Sequence, residues 1–440
     1  MRIKSLLSIF LVLSFVLVSI PQAEAENRMI IVPDDYASIT YAVGNATSGD
    51  IIFIRNGTYN EHTIVIDKPL TIIGEDVNAT ILNNIDVPEW QAGFPFPKRT
   101  VTLEVISNEI IICNLTLSSN SEDSNGISGK CDWATILGNV ITTGYECISL
   151  EGSNHFIMNN NIPNASHGML VSGSYNIIMN NSVTRDRGRI VLGRLPEVTA
   201  DRAGIGDCHF NLVYGNFISS SGIYLSGSNS MIVENDVRYI SIDGSHNFVC
   251  INRITDGGTG LYIGWGINNT VCGNFVSNNN VGAFVAGGTS SVIENGNGTW
   301  ITNNTIYHNN FIDNKYQTSA GNPEYGIDYK YEMVTGYSGY PLNYYDDGTE
   351  GNYWSNYNGR DLNKDGIGDI PYDIDFSGNK DPHPLMKPFN LSSIEIELPE
   401  WTQERISIKF IPEFPSWIIL PLFLIVTLFG VVFRKKFRVA

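Results

Sequence analysis

The chain has 440 residues and a formal net charge of −18, from 27 Lys and Arg against 45 Asp and Glu. This excess of acids argues against a nucleic-acid binder, because phosphate neutralisation needs clustered Lys and Arg. Aromatic residues make up 11% of the chain and Gly, Asn, Ile and Val are abundant, which argues against wholesale disorder and favours a β-rich, turn-rich fold.

The first 25 residues predict a secretory signal. Arg2 and Lys4 precede an apolar run from residue 6 to residue 20, and small residues follow at 23 and 25. This order of basic, apolar and small-residue regions is typical of export signals. We therefore expect residues 1–25 to be a signal peptide, with an uncleaved anchor as the alternative.

The stretch from residue 30 to residue 46 predicts a strand, a turn and an amphipathic helix. Strand-like apolar runs then begin at Gly49 and at Leu70. We expect the helix to cover the open end of the structure that these runs begin, because exposed strand edges promote end-to-end aggregation. The apolar residues that helical spacing places on one face of it are Ile39, Ala42, Val43 and Ala46.

A repeat of about 21 residues dominates the middle of the chain. Each unit is too short to bury its own apolar residues, so stacked units would share one core and pair their backbone amides. Leucine-rich horseshoes and propellers have other signatures, so the pattern predicts a parallel β-helix. Apolar triplets that follow a turn residue begin, at steps of 21, 21, 21, 33, 17, 21 and 22 residues, at Gly126, Cys147, Gly168, Arg189, Gly222, Tyr239, Gly260 and Gly282.

An asparagine-rich motif recurs between the triplets, as in Asn176-Ile-Ile-Met-Asn-Asn and Asn269-Thr-Val-Cys-Gly-Asn. Asparagines at equivalent corners would stack their amides from coil to coil and satisfy buried polar groups. Cys250 and Cys272 occupy equivalent positions 22 residues apart, so we expect them on neighbouring coils. Because stacked side chains point the same way, two unbonded thiols are expected rather than a disulfide.

The single 33-residue step holds an insertion at about Arg194–Asp207, where charged residues cluster more densely than elsewhere in the repeat. Insertions in solenoids often project over the binding face, and Arg side chains fork onto the carboxylates of acidic sugars. The cluster predicts a glycan-binding or lyase site, with a solvated set of surface ion pairs as the alternative. The candidate residues are Arg185, Arg187, Arg194, Asp201, Arg202 and Asp207.

Residues 361–369 read Asp-Leu-Asn-Lys-Asp-Gly-Ile-Gly-Asp and resemble the first part of an EF-hand-type calcium loop. Oxygen ligands fall at alternate positions and a Gly allows the sharp turn. Tyr372 stands where the loop normally has a bidentate Glu, so the motif is incomplete, and an acidic turn without metal is the alternative. We predict a structural calcium ion held by Asp361, Asn363, Asp365, the carbonyl of Ile367, and Asp369.

The end of the chain predicts a membrane anchor. An uncharged apolar stretch of 17 residues, Trp417–Phe433, is followed at once by a basic cluster. This is the short end of what spans a bilayer, and the basic residues indicate the cytoplasmic side. Together with Pro412–Pro415 the arrangement resembles archaeal PEF-type sorting signals, which implies enzymatic removal of the helix as an alternative to a permanent anchor.

The expected domain organisation has five parts. They are a signal peptide at 1–25, a parallel β-helix with an N-terminal cap at 26–345, a C-terminal segment with the cation loop at 346–390, a linker at 391–412, and a transmembrane anchor with a basic tail at 413–440.

Two groups of motifs stand near the two ends of the exported part. They are Val32-Pro-Asp-Asp-Tyr, Gly49 to Glu61 and Leu70-Thr-Ile-Ile-Gly-Glu at the start, and Gly351-Asn-Tyr-Trp-Ser-Asn-Tyr, Asp361 to Tyr372 and Asp381-Pro-His-Pro-Leu-Met at the end. They resemble the motifs of the NosD-type β-helix proteins, relatives of pectate-lyase-like folds. The resemblance covers about residues 30–390 and implies a right-handed, single-stranded parallel β-helix of carbohydrate-binding or sugar-hydrolase type. Because the founding members assist copper loading of nitrous oxide reductase, copper binding is implied by the resemblance alone.

Three functions remain open. The first is an exported cell-surface protein, anchored in the plasma membrane with its basic tail cytoplasmic, that binds carbohydrate or cell-envelope polymer without catalysis. The second is a polysaccharide lyase, epimerase or hydrolase acting on an acidic glycan, for which the sequence singles out no catalytic pair. The third is a periplasmic-type copper-binding accessory protein. None of them involves nucleic acid.

Overall fold

The computed structural model describes residues 27–88, 99–164, 166–185, 187–193, 208–285, 303–318, 343–374 and 379–407. The expected signal peptide, the insertion at 194–207 and the membrane anchor lie outside these ranges. Within them, no helix has the length and apolar character needed to cross a bilayer. The chain divides into two compact units after Ile394. In the second unit the described residues form one α-helix, Glu400–Ser407.

The first unit is a parallel β-helix, as the repeat predicted. Each coil adds one strand in turn to each of three parallel sheets, and the next coil pairs with it in register. Sheet 1 contains, in stacking order, Met29–Val32, Ile51–Ile54, Thr71–Gly74, Ile111–Cys113, Thr135–Leu137, Phe156–Met158, Ile177–Met179, Leu212–Tyr214, Met231–Val233, Phe248–Cys250, Thr270–Cys272 and Thr305–Tyr307.

Sheets 2 and 3 run alongside. Sheet 2 contains Gly57–Glu61, Thr80–Asn84, Thr116–Ser119, Val140–Ile141, Asn161–Ile162, Ser182–Val183, Phe217–Ile218, Asp236–Val237, Arg253–Thr255, Phe275–Ser277, Asn310–Ile312 and Tyr353–Trp354. Sheet 3 contains Ile64–Ile66, Thr100–Val105, Ser124–Lys130, Glu146–Glu151, Gly168–Ser172, Arg189–Leu192, Gly222–Ser226, Tyr239–Asp243, Thr259–Trp265, Val281–Val285 and Tyr316–Thr318. A short antiparallel pair, Tyr372–Asp373 with Lys380–Asp381, and a 3-10 turn, Leu391–Ser393, follow the last coil.

The register of sheet 3 confirms the alignment of the apolar triplets. Ile148 pairs with Met169, and Ile190 pairs with Ile223 across the 33-residue step. The strands before and after the insertion therefore stack directly on each other. The inward residues of all three sheets form one continuous buried core, because side chains alternate between core and outside along each strand.

Asparagines form the column of amides that the repeat predicted. Each side-chain nitrogen donates to the side-chain oxygen of the next member, on the next coil, at 2.9–3.0 Å, and that oxygen also accepts a backbone N–H. The column ends on the buried carboxylate of Asp381, which accepts from the backbone N–H of Asn352 at 2.7 Å. We call it the asparagine ladder; it contains Asn139, Asn160, Asn181, Asn216, Asn235, Asn252, Asn274, Asn309 and Asn352.

Both ends of the solenoid are closed. The helix Ile39–Asn45 covers the first coils, and the four residues predicted for its inner face are buried. Its first turn is held by Glu61, whose carboxylate accepts from the backbone N–H of Ile39 at 2.6 Å. At the other end the rings of Phe311, Trp354 and Tyr372 stack at centroid distances of 4.4 and 4.6 Å. These aromatic residues cap the apolar core.

Cys250 and Cys272 lie on neighbouring coils, as the spacing predicted, and pair in register in sheet 1. Their sulfur atoms are 2.9 Å apart and both residues are free, buried thiols.

Candidate functional site

The insertion cluster is only partly within the described residues. Arg194, Asp201, Arg202 and Asp207 lie outside them. Arg185 and Arg187 are exposed, at the corner where the chain enters sheet 3. The Arg185 guanidinium donates to the side-chain oxygen of Asn164, one coil earlier, at 3.2 Å.

Three further side chains stack at this corner on successive coils. The backbone N–H of His167 donates to the carbonyl of Tyr145 at 3.1 Å, and that of Arg189 donates to the carbonyl of His167 at 3.3 Å. The Tyr145 and His167 rings are 4.2 Å apart between centroids, and the Arg99 guanidinium lies 3.4 Å from the centre of the Tyr145 ring. The charges of Glu146 and Arg187 also act on His167. We call the set the Arg–His patch; it comprises Arg99, Tyr145, Glu146, His167, Arg187 and Arg189.

Local backbone features bring these coils together. Gly168 has φ +77°, and a Cβ at this position would lie 2.3 Å from the carbonyl oxygen of Arg189. Only a glycine allows so close an approach between the two coils. The pairing of Glu146–Glu151 with the next strand also shifts register between Glu146 and Ile148. Such irregularities re-aim side chains at the edges of sheets.

The patch is electropositive although the chain as a whole is acidic. None of the ion pairs among the described residues involves Arg99, Arg187 or Arg189. The pKa of His167 is lowered, first by burial and then by the positive charge of Arg189, with Glu146 acting in the opposite direction. The imidazole is therefore neutral at pH 7.

Two atoms of the patch have unused hydrogen-bonding capacity. His167 Nδ1 and Arg189 Nε are buried, and neither has a hydrogen-bond partner. Buried polar atoms are almost always hydrogen-bonded, so unpartnered ones mark a place where a water molecule or a ligand completes the network.

The outer face of sheet 3 extends from the patch along the solenoid. Its side chains are mostly polar in the first coils and mostly apolar or aromatic in the later ones, where Val191, Ser241 and Phe284 are buried. The Tyr224 hydroxyl donates to the Asp243 carboxylate, and the rings of Tyr262 and Phe284 stack at 5.3 Å. One row of this face consists of Glu104, Ser128, Ser149, Leu170, Val191, Tyr224, Ser241, Tyr262 and Phe284.

The predicted cation loop folds around its own backbone. Asp361 accepts from the backbone N–H of Lys364 at 2.6 Å and of Gly366 at 3.0 Å, and Gly366 has φ +93°. Asp369 accepts from the N–H of Leu362 at 2.8 Å. The hard-oxygen donor set suits calcium, but the described residues contain no group of three or more His, Cys, Asp or Glu side chains placed to hold a metal ion. Calcium at this loop stays a prediction.

The described histidines do not gather into a copper site. His62 contacts Asp86 at 2.6 Å and His383 contacts Asp346 at 2.6 Å, each through Nδ1 and each in a different part of the solenoid. The absence of any metal-binding group within the described ranges therefore applies to copper as well.

Arg99, Tyr145 and His167 were not predicted from the sequence as site residues. A signal was present for two of them, since Tyr145, His167 and Arg189 are spaced by 22 residues, about one coil. The contact of Arg99 with the Tyr145 ring depends on side-chain placement and has no comparable signal.

The fold is similar to several solved polysaccharide-active proteins. A PL6-family alginate lyase, AlyGC, is 16% identical with a TM-score of 0.47, over 74% of this chain and 49% of that one. A PL6-family polysaccharide lyase from Pseudopedobacter saltans is 17% identical with a TM-score of 0.42, over 76% of this chain and 94% of that one. The A-module of the Azotobacter vinelandii mannuronan C-5 epimerase AlgE6 is 12% identical with a TM-score of 0.44, over 64% and 90%.

These similarities concern the fold alone. No protein-family model and no curated protein matches the sequence.

Proposed function

We propose that the chain binds an acidic polysaccharide at the Arg–His patch and along the adjoining face of sheet 3. The observation that carries the proposal is a group of three arginines with no carboxylate partner among the described residues, in a chain of net charge −18. Guanidinium groups bind carboxylates through paired, charge-assisted hydrogen bonds, which makes an anionic sugar the best-matched ligand.

The surroundings of the patch favour an extended polymer. Coils repeat about every 4.8 Å, so equivalent side chains form rows along the solenoid axis. The acidic remainder of the chain repels a polyanion, which would confine its contacts to the patch and the face beside it. In the expected exported, membrane-anchored arrangement this face would lie outside the cell.

A second candidate function is removal of a proton from the ligand. His167 is neutral at pH 7, because its pKa is lowered, and it lies between Tyr145 and Arg189. A neutral imidazole can take the proton beside a uronate carboxylate while an arginine stabilises the developing negative charge. The electron pair then either forms a double bond and expels the glycosidic oxygen, which takes a proton from the imidazolium or from water and leaves an unsaturated chain end, or captures a proton from water on the other face, which gives the epimer.

Hydrolysis is less well matched. Glycoside hydrolases generally use two carboxyl groups about 5–9 Å apart, and the patch contains one, that of Glu146. The third hypothesis, a copper-binding accessory protein, has no supporting feature among the described residues.

Binding is tested by calorimetry of the full chain with polygalacturonate and alginate, and with dextran as a neutral polymer. Arg187→Ala and Arg189→Ala should each weaken binding of the acidic polymer about tenfold, the loss expected for one charged hydrogen bond. Arg360→Ala is the control matched to Arg187→Ala, because both arginines are exposed and neither is in an ion pair. Equal affinity of wild type and both patch variants would contradict the proposal.

Catalysis is tested on the same mixtures by the absorbance of unsaturated uronate ends and by exchange of the C5 proton. Binding without either signal favours the passive function. Formation of new ends or exchange that His167→Ala abolishes, with binding retained, favours the lyase or epimerase.

A further inference from the structure

A cleft separate from the Arg–His patch lies beside the last coil of the solenoid. It has a volume of 530 Å³ and opens where three chain segments that are distant in sequence meet: residues 314–318, 356–359 and 370–373. Its size falls in the range of small-molecule sites. We call it the C-terminal cleft. None of its residues belongs to the Arg–His patch.

One aromatic wall of the cleft is held by the cap of the solenoid core. The Tyr372 ring stacks on Trp354, which in turn stacks on Phe311. The Tyr372 hydroxyl donates to the side-chain oxygen of Asn356 at 3.1 Å. The ring is thus fixed at one face by stacking and at its tip by a hydrogen bond.

A second tyrosine is held as tightly. The Tyr357 hydroxyl donates to the carbonyl of Ile370 at 2.6 Å. A Cβ at Gly359 or Gly368 would lie 1.9 or 2.0 Å from the same hydroxyl, so a side chain at either position would displace it. Two rigid tyrosine rings in the walls mean that little ordering remains to be done when a ligand binds.

The floor of the cleft is polar, and its groups are already hydrogen-bonded within the protein. Gln317 is buried; its amide nitrogen donates to the Ser355 hydroxyl at 2.8 Å, and its oxygen accepts from the Asn314 amide at 2.8 Å. These contacts fix the floor and leave it with little capacity for new partners.

The rim is different, because several of its polar groups are unused. Among the residues that the structure describes, the Lys315 ammonium, the Tyr316 hydroxyl and the Asn358 amide have no hydrogen-bond or ion-pair partner. The Lys315 ammonium lies 5.0 Å from the centre of the Tyr316 ring. The nearby carboxylate of Asp373 is already paired with Lys380 at 3.0 Å. The rim therefore offers one uncompensated positive charge beside neutral donors and acceptors.

We infer that the C-terminal cleft is a separate binding site for a single hexuronic acid unit. Aromatic rings pack against the apolar face of a pyranose, the amide and hydroxyl bind its hydroxyl groups, and the ammonium binds its carboxylate. A neutral sugar would leave the Lys315 charge unpaired. The site goes beyond the proposed function, because it would anchor one sugar unit at a distance from the Arg–His patch.

The inference is tested by saturation-transfer NMR titrations of the full chain with glucuronate, galacturonate and glucose. Glucuronate or galacturonate should bind more tightly than glucose, and Lys315→Ala should weaken uronate binding about tenfold. Tyr316→Phe, which removes only the hydroxyl, and Asn358→Ala should weaken it by a smaller factor. Lys387→Ala, at an exposed lysine outside the cleft, is the matched control. Thermal melts establish that each variant is folded.

Two results would overturn the inference. One is glucose binding as tightly as the uronates, and the other is uronate binding that Lys315→Ala leaves unchanged. Arg189→Ala separates the two sites: it should weaken polygalacturonate binding at the Arg–His patch and leave the binding of single uronates unchanged.

Discussion

The asparagine ladder and the Arg–His patch share one construction but differ in whether their hydrogen-bonding groups are satisfied. Both are columns of side chains that successive coils place above one another. In the ladder each amide donates to one neighbour and accepts from the other, so the column satisfies itself. In the patch, His167 Nδ1 and Arg189 Nε remain without partners. An amide both donates and accepts, so a buried column of amides serves the fold, whereas a column of arginine and histidine at a corner keeps donors that a ligand can use.

The largest expected effect comes from breaking the ladder. Asn235 is 1% exposed, donates to Asn252 and accepts from both the amide and the backbone N–H of Asn216. Asn235→Ala would leave buried groups unsatisfied and should lower the free energy of unfolding by about 3 kcal/mol, measured by urea denaturation. Asn358→Ala, at an exposed asparagine, should change it by less than about 0.5 kcal/mol. Comparable losses in the two variants would mean that the ladder is not structural.

The end of the ladder should make stability depend on pH. Burial raises the pKa of Asp381 to about 6, against hydrogen bonds from Asn352 and Trp354 that lower it. Because the folded state holds the proton more tightly than the unfolded state, this contribution is fully present below about pH 4 and is lost as pH rises through about 6. The loss should be about 3 kcal/mol.

Asp381→Asn tests this, since the difference in unfolding free energy between wild type and variant isolates this carboxyl from the others. The unfolding free energy of the variant, relative to that of wild type, should increase between about pH 4 and about pH 7. A difference that is flat with pH would place the pKa of Asp381 near its ordinary value.

The patch should respond to pH in its own way. The lowered pKa of His167 keeps the imidazole neutral until the solution is more acidic than the usual histidine range. Polygalacturonate binding at constant salt should therefore stay level from about pH 8 to about pH 6.5 and increase as the imidazole gains its charge below that. His167→Ala should remove the increase. An increase that persists in the variant would assign it to another group.

The smallest expected effect concerns the cation loop. If calcium binds the folded loop alone, chelation should lower the melting temperature by a few degrees, roughly 1 kcal/mol of stability. Asp365→Ala should abolish this sensitivity. A melt that is the same with and without chelator would leave residues 361–369 as an acidic turn.

The sequence was sufficient to predict the solenoid. Its apolar triplets predicted the pairing of Ile148 with Met169 and of Ile190 with Ile223, and equivalent asparagines predicted the ladder. The periodicity works because each coil meets its neighbours in the same register. His155 occupies the position that Asn176 occupies one coil later, and its backbone N–H donates to the side-chain oxygen of Asn176.

The candidate sites were less predictable. Arg185 and Arg187 were predicted from the density of charged residues. Tyr145 and His167 could have been predicted as well, from their spacing of 22 residues. The place of Arg99 beside Tyr145 depends on side-chain geometry outside the regular repeat. The C-terminal cleft brings together three segments after the repeat has ended, where spacing in sequence no longer indicates proximity.

The carboxylate of Asp381, on which the asparagine ladder ends, has a consequence for growth of the solenoid. Every amide in the column donates a hydrogen bond to the next coil, so an amide at the end of the column would have a donor free for a further coil. Asp381 accepts through one carboxylate oxygen from Asn352 and Trp354 and through the other from the N–H of His383. When it is ionised, the Asp381 carboxylate cannot donate a hydrogen bond to a further coil. A second molecule that approached this end would find no hydrogen-bond donor to continue the column. This protects a rod of stacked strands from lengthening into a fibre.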